Sequence, residues 1–391
     1  MNETSLLLGA GFSVNKGYPT AKQLNKTLTE LTADDFWVAS QGSVILKDKE
    51  ADDRNWYDNH SRHKHFLIKL IEYYREQAGE FNYEEFYDFY HNIEADKVNS
   101  DFDILCNNFR KQFQIDTNNH NLLNSINSIF NQLISRFLVD GEGNRFYKSI
   151  HHCKPFYSGY TGFLNCIEHF GNLGLTHIHT LNHDLFLETL SHSDWMKNEL
   201  SDGFEEMGSK YYGKMKDNLK VRLSRFTNVY NTKFRLYKLH GSFDQVPFHL
   251  PDAGIDTYVK IKYGVELTEL YKEIDDEKGG FKYINDWINY HPDFLSGTTS
   301  KILRYGEPYY YDKVFSNFKH NLSNSNRLVI IGYGCGDSEI NNMIEKYFKY
   351  QKYPIIIVDP YPSELTKTFV NKFKANLITK TPDELTVKDC V

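Results

Sequence analysis

Short apolar segments that each run into a glycine-containing or polar turn constrain the fold of this chain most strongly. These segments are Ser5–Leu8, His177–Leu181, Phe234–Leu239, Arg327–Ile331 and Ile355–Val358. Segments with helical periodicity separate several of them, and strands that alternate with helices are typical of a parallel α/β sheet. The sequence therefore predicts an α/β fold with a parallel sheet.

The periodicity of the chain changes after the first 33 residues, which we interpret as strand, glycine turn and a helix that begins with the capping box Thr20–Gln23. Residues 34–170 lack apolar strand runs and are rich in helical periodicity. We therefore predict a core formed by residues 1–33 and 171–391, interrupted by a helical insertion over 34–170. The predicted insertion helices are His65–Gln77, Asn82–Ala95, His120–Leu138 and Tyr157–Leu173.

Composition excludes several classes of protein. The net charge of −7 argues against direct nucleic-acid binding, and an aromatic content of 15% argues against a disordered chain. The five cysteines include no C-x-x-C pair, which argues against a zinc ribbon and against a disulfide framework. No apolar run approaches the ~18 residues of a membrane span. The N-terminus lacks the basic region of a signal peptide, so we expect a cytoplasmic protein without membrane contact.

The residues that follow the predicted strands carry the candidate chemistry, because ligands of open α/β sheets bind at the carboxyl ends of the strands. Glycine turns at 9–11 and 332–336 would let backbone amides approach a pyrophosphate. A carboxylate at a strand end, such as Asp359, can hold a ribose diol. Together with an Asn and a His at two other strand ends, these residues predict a dinucleotide-type crevice.

Three motifs, in order along the chain, resemble those of the sirtuin family. They are Gly9-Ala10-Gly11-x-Ser13-x-x-x-Gly17-x-Pro19, Thr180-Leu181-Asn182-His183-Asp184 and Leu239-His240-Gly241. The resemblance implies a Rossmann-like core and NAD as the ligand. It also implies that Asn182 and His240 are the catalytic residues.

The remaining strand-end residues are expected to bind NAD. Ser13 and the amides of residues 10–13 would hold phosphate, Asp359 would hold the adenosine ribose, and Asp184 would orient its loop or the nicotinamide amide. The full predicted set is Gly9, Ala10, Gly11, Phe12, Ser13, Pro19, Thr180, Asp184, Gly241, Gly332, Gly334, Asp337 and Asp359.

Departures from the family pattern narrow the range of activities expected of this chain. Leu181 replaces the family's Gln, and no cysteine lies between Cys166 and Cys335, so the zinc module of protein-deacylating sirtuins is absent. The turn Gly332-Tyr333-Gly334 with Asp337 looks like that of sirtuin-like proteins of bacterial antiphage defence. That resemblance implies an NAD glycohydrolase that releases nicotinamide and ADP-ribose and depletes NAD in abortive infection. As in some members of that group, it implies a HerA-type ATPase as partner. The aromatic-rich helices of the insertion separately suggest a homo-oligomer.

Several alternatives stay open at this point. The same site could serve an ADP-ribosyl cyclase or transferase, or a sensor that binds NAD or ADP-ribose without turnover, whereas the missing zinc module disfavours a deacylase. We expect no metal site at His177, His179 and His183, because no nearby carboxylate or cysteine completes a ligand set. Glu84, Glu85 and Asp88 are interpreted as the solvated face of a helix. Oligomeric state, trigger and partner are not fixed by these residues.

Overall fold

The computed structural model describes residues 2–38, 44–46, 61–86, 88–89, 100–139, 158–192, 196, 198–215, 218–250, 254–262, 265–275, 281–284, 295, 302 and 304–391. The strands in this part of the chain are β1 Asn2–Leu8, β2 Phe36–Val38, β3 Val44–Leu46, β4 Gly174–Thr180, β5 Leu200–Ser201, β6 Phe204–Glu205, β7 Tyr211–Met215, β8 Lys220–Arg222, β9 Ser224–Phe226, β10 Phe234–Lys238, β11 Gln245–Leu250, β12 Gly254–Lys260, β13 Val265–Asp275, β14 Phe281–Ile284, β15 Arg327–Ile331, β16 Ile355–Val358 and β17 Asn376–Ile378. The α-helices are α1 Ala10–Ser13, α2 Ala21–Glu30, α3 Ser61–Ala78, α4 Ser100–Phe113, α5 Asn119–Val139, α6 Thr161–Leu173, α7 Tyr311–Asn324, α8 Ser338–Tyr347 and α9 Glu364–Phe373.

A seven-stranded sheet with the order β17-β16-β15-β1-β4-β10-β5 forms the core. Every pair of neighbouring strands in it is parallel. The chain builds outward from β1 in two directions, with β4 and β10 on one side and β15 to β17 on the other. β1 therefore lies at the topological switch point, where open α/β sheets bind their ligands.

Helices cover both faces of this sheet, as the alternation of side chains along β1 requires. Leu7 packs into the apolar cluster that contains residues of α7, α8 and α9. Leu6 and Leu8 point to the opposite face and pack with residues of α6. The predicted Rossmann-like α/β fold is confirmed by this three-layer arrangement.

The predicted insertion contains helices with a separate apolar core. α3, α4 and α5 pack together with Leu24 and Leu28 of α2, and the prediction had no helix at the position of α4. The described segment also contains the hairpin β2–β3, so the expectation that strands are absent from 34–170 was wrong. Each hairpin strand has only three residues, too few for a visible periodicity. The predicted helix Asn82–Ala95 lies partly outside the described residues.

The last predicted insertion helix belongs physically to the sheet layer. α6 contacts β1 and β4, and its Phe163, Ile167 and Phe170 are buried with sheet residues. The domain boundaries at 33 and 170 stay a prediction, with α6 placed on the core side by these contacts.

Strands β6–β9 and β11–β14 form two small sheets, and the sequence predicted few of these strands. Their orders are β11-β12-β9-β6 and β14-β13-β7-β8, and their described pairs are antiparallel. Residues of both sheets, including Tyr211 and Phe248, share one apolar cluster. Within the described ranges, no helix combines the length and apolar character needed to cross a membrane.

Candidate active site

The turns singled out from the sequence leave the sheet at one edge. Leu8 pairs with both Thr180 and Ile331, and Lys238 pairs with Thr180, so four strands end level with one another. The turns that follow line a single cleft of ≈ 910 Å³. The predicted site residues that line it are Gly9, Ala10, Gly11, Ser13, Pro19, Asn182, Asp184, His240, Gly332, Gly334, Asp337 and Asp359.

Phe12, Thr180 and Gly241 do not line the cleft, so the structure gives their predicted NAD contacts no support. Phe12 is 1% exposed and packs edge-on against the ring of Phe163 at 4.7 Å. The Thr180 hydroxyl accepts a hydrogen bond from the Asn182 backbone amide (3.0 Å). Gly241 has φ +79° in the turn after β10. These residues shape the turns that carry the cleft.

The glycines of two turns are required by contact between the turns themselves. A Cβ atom on Gly9 would lie 2.7 Å from the Gly332 carbonyl oxygen, and one on Gly332 would lie 2.1 Å from the Phe12 backbone nitrogen. Gly332 also has φ +63°. At Gly334, by contrast, a Cβ would meet no atom within 4 Å. No protein atom therefore requires glycine at position 334, and a side chain there would extend into open space.

The expectation that the amides of residues 10–13 all hold phosphate needs a correction. The Gly11 amide donates to the Gly332 carbonyl (2.9 Å), and the Phe12 amide donates to the Gly9 carbonyl (2.9 Å). Both donors are used to hold the turn, because a backbone amide has a single hydrogen to donate.

Asn182 is held in one orientation by its own amide nitrogen. Nδ2 donates to the Gly9 carbonyl (2.9 Å) and to the Ser13 hydroxyl (2.9 Å). A carbonyl oxygen only accepts, so the contact with Gly9 fixes which end of the amide is nitrogen. Both amide hydrogens are thereby used, and Oδ1 is the atom of this side chain that can serve a ligand.

His240 lies beside a carboxylate. Its Nε2 is 3.9 Å from Oδ2 of Asp337, and the side chains are 7% and 11% exposed. The other oxygen of Asp337 caps helix α8 by accepting from the backbone amides of Glu339 and Ile340 (both 3.1 Å). The His183 ring lies on another side of His240, with 6.3 Å between ring centroids.

Two other predicted carboxylates stabilise their own loops. Asp184 Oδ1 accepts from the Phe186 amide (2.9 Å), a bond within its own loop. Asp359 accepts from the Tyr361 amide (2.9 Å) and from the Thr366 hydroxyl (3.3 Å). Each still presents its side chain to the cleft.

Residues of the insertion that the sequence did not place in the site also line the cleft. They are Asn82, Tyr83, Glu84, Ile134 and Leu138. The Tyr83 amide donates to Asn25 Oδ1 of α2 (2.9 Å), and the Tyr83 hydroxyl donates to Glu84 (3.2 Å). The interpretation of Glu84, Glu85 and Asp88 as one solvated face was wrong, since Glu84 faces the cleft and Asp88 is 5% exposed.

Acidic side chains, and no Lys or Arg, contribute charge to the described lining of the cleft. Four carboxylates line it, those of Glu84, Asp184, Asp337 and Asp359, and none of its described lining residues is Lys or Arg. A phosphate group in this cleft would therefore be bound by neutral donors, while a positive charge on a ligand would be favoured.

A buried ion network lies beside the turns that carry Asn182 and His240. Lys238 contacts Glu188 (3.6 Å) and donates to the backbone carbonyl of Asp184. Lys260 contacts Glu188 and Asp244, and its shortest contact is 2.6 Å to Asp202. Burial opposes the charge on Lys260, but the three carboxylates hold its pKa well above the usual value. Burial raises the pKa of Glu188.

His179 and Cys335 are buried outside the cleft. His179 is buried against α7, with Nδ1 donating to the Leu6 carbonyl (3.0 Å) and Nε2 accepting from Asn321 (3.1 Å). Burial raises the pKa of the Cys335 thiol to about 12, which argues against a reactive thiolate. Among the described residues, no group of three or more His, Cys, Asp or Glu side chains is placed to hold a metal ion.

Comparison with known proteins gives structural likenesses only. No protein-family model and no curated protein matches the sequence. A structure titled "Structural Basis for the Mechanism and Regulation of Sir2 Enzymes" is similar with a TM-score of 0.38, 11% identity, and coverage of 100% of this chain and 91% of that chain. A Sir2 homologue–NAD complex is similar with a TM-score of 0.37, 9% identity, and coverage of 99% and 88%. The α/β fold itself rests on the sheet order and registers given above.

Proposed function

We propose that the chain is an NAD glycohydrolase that cleaves the bond between nicotinamide and ribose. The observation that carries the proposal is the pairing of a fixed Asn182 amide and His240 in one cleft at the switch point of the sheet. The motif resemblance implies that these two residues act in the reaction, and the lining of the cleft by both side chains supports the proposal.

Cleavage of this bond needs little acid catalysis from the protein. Nicotinamide is bound to ribose as a cation and leaves as a neutral base, so its ring nitrogen needs no proton. The difficulty is the oxocarbenium-like ribose and the placing of water on its open face, as in glycoside hydrolysis. An enzyme supplies this help by positioning and by fixed dipoles.

The residues of the cleft match those requirements. Asn182 Oδ1 would accept a hydrogen bond from a ribose hydroxyl or from the attacking water. His240 would take the proton that this water releases. The Ser13 hydroxyl accepts from Asn182 and would donate its own hydrogen to a phosphate oxygen. The surrounding carboxylates would stabilise the developing positive charge.

The biological setting belongs to the same proposal and rests on the motif resemblance. Hydrolysis would deplete NAD as part of antiphage defence, in a cytoplasmic homo-oligomer that is held inactive until triggered. A HerA-type ATPase is the proposed partner. Mixing the purified chain with such an ATPase and measuring their mass together by light scattering tests the partner assignment.

A product assay tests the catalytic proposal. The purified chain is incubated with NAD and the products are separated by chromatography, beside Asn182→Ala, His240→Ala and the exposed control His120→Gln. We expect nicotinamide and ADP-ribose, unchanged by His120→Gln, and a loss of turnover of about 10²-fold or more in His240→Ala.

Other outcomes of this assay would indicate a different function. A cyclic or protein-linked ADP-ribosyl product would keep the site and change the acceptor. NAD binding without turnover, unaltered by His240→Ala, would make the chain a sensor and would contradict the hydrolase.

A further inference from the structure

We infer that Asp337 is a positioning residue that acts through His240, rather than a residue that binds NAD. The inference rests on the proposed function, in which His240 takes a proton. Its structural basis is the 3.9 Å contact between Asp337 Oδ2 and His240 Nε2.

The carboxylate of Asp337 is held in place by the start of helix α8. Oδ1 accepts from two backbone amides of the first turn, those of Glu339 and Ile340. The backbone carbonyl of Asp337 accepts from the Tyr333 hydroxyl (3.0 Å), and that hydroxyl also contacts Asn341 (3.0 Å). One oxygen is thereby engaged by the helix, and the geometry directs the other towards His240.

The contact selects which imidazole nitrogen acts as the base. At 3.9 Å the two atoms are within ion-pair range but too far apart for a hydrogen bond. The negative charge of the carboxylate favours the tautomer that carries its hydrogen on the nitrogen that faces it. Nε2 of His240 then bears the hydrogen, and Nδ1 is the atom that takes the proton from water. In free enzymes such catalytic hydrogen bonds are often long and shorten when substrate binds.

The same contact favours the protonated imidazole. An opposite charge within about 4–6 Å shifts a titration by 1–3 pH units towards the charged form. The other titratable groups near this pair are His183, at 6.3 Å between ring centroids, the cleft carboxylates Glu84 and Asp184, and two tyrosines that interact electrostatically with Asp337, Tyr305 and Tyr333. Asp337→Asn leaves the identity of each of these residues unchanged.

The decisive variant is Asp337→Asn, because Asn caps helices about as well as Asp while carrying no charge. The charge-matched control is Glu339→Gln, which removes a carboxylate from the same helix turn but from outside the cleft. Asp337→Ser, which also retains a cap, serves if the Asn variant does not fold.

The primary readout is the titration of His240 followed by ¹⁵N NMR of the imidazole in the absence of NAD, assigned with His240→Gln. In wild type we expect an Nε2–H tautomer. In Asp337→Asn we expect the midpoint to fall by about one pH unit or more and the tautomer to become mixed. Glu339→Gln should leave both unchanged. An unchanged midpoint and tautomer in Asp337→Asn would overturn the inference, whether or not the chain hydrolyses NAD.

Kinetics separate positioning from substrate binding. We expect Asp337→Asn to lower kcat about 10-fold or more, to leave KM within about 2-fold, and to move the acid limb of the pH profile downwards. A raised KM with an unmoved pH profile would assign Asp337 to NAD binding and would refute positioning. If wild type does not turn over NAD, the proposed function fails, while the NMR titration still decides the Asp337–His240 interaction.

Discussion

Two buried histidines of strand β4, His177 and His179, should lower the stability of the fold in mild acid. Burial lowers the pKa of His177 to about 4, against an opposing contribution from Glu3, and lowers the pKa of His179 to about 3. In the unfolded chain both titrate near ~6.5. Between pH 6.5 and pH 4 the unfolded chain therefore binds protons that the folded chain does not.

The sign and size of the effect follow from proton linkage. Stability is fully present above about pH 6.5 and is lost as the pH falls, by about 1.4 kcal/mol per pH unit for each histidine. From pH 6.5 to pH 5 the two residues together should lower the free energy of unfolding by about 3 kcal/mol, since the slope reaches its full value only well below pH 6.5. The loss from His177 ends near pH 4 and that from His179 near pH 3.

Urea unfolding at half-unit steps from pH 7 to pH 5, followed by circular dichroism, measures this slope. In His177→Gln an amide can still donate to Glu3, which lies 3.1 Å from His177 Nε2, and we expect about half of the slope to disappear. The exposed control His120→Gln should keep the full slope. A free energy of unfolding that stays constant between pH 6.5 and pH 5 would refute the reasoning.

Two further predictions test the turns and the insertion. Gly332→Ala should lower Tm by several degrees because its Cβ would collide with the Phe12 amide. Gly334→Ala should melt like wild type but bind NAD more weakly in calorimetry. Equal losses of Tm in the two variants would contradict this prediction. Phe243 follows the His240 turn and is buried in the insertion core. Phe243→Ala should lower the free energy of unfolding by about 3–5 kcal/mol and reduce NAD hydrolysis. Phe113→Ala, which alters the same cluster on α4, should leave hydrolysis by the folded protein unchanged; an equal loss of activity would contradict a specific link from Phe243 to the His240 turn.

Five strands of the central sheet were predictable because they are buried on both faces, whereas the short edge strands β5 and β17 were not predicted. Arg327–Ile331 and Ile355–Val358 have the bounds that their apolar runs indicate. Strands covered by helices on both sides need continuous apolar sequence, which is visible without any knowledge of neighbours.

The two small sheets could not be found in this way. β13 is eleven residues long and carries four carboxylates and a lysine among its apolar residues. Strands of small antiparallel sheets bury one face or part of one, so they lack a continuous apolar run. The irregular register between β13 and β7 removes the remaining period-two signal.

The candidate site was predictable only where its residues lie in turns directly after strands. Asn182 and His240 are in that position, and strand register alone brings their turns together. Glu84 reaches the cleft through packing of the insertion on α2, which includes the hydrogen bond from Tyr83 to Asn25. A contact between segments so far apart leaves no local pattern, and the pairing of Asp337 with His240 was missed for the same reason.

The residues most characteristic of the sequence motif are also the ones that say least about the ligand. Gly9 and Gly332 must be glycine because the two turns touch, and this requirement would hold in a chain that bound nothing. Likewise, His177 and His179 satisfy hydrogen bonds inside the fold, although histidine is a common functional residue. Asn182 differs from these, since both hydrogens of its amide nitrogen are bonded and its oxygen is left for another molecule. The proposed hydrolysis would therefore depend on Asn182, His240 and Asp337, and variants of these residues that leave the glycine turns intact test it most directly.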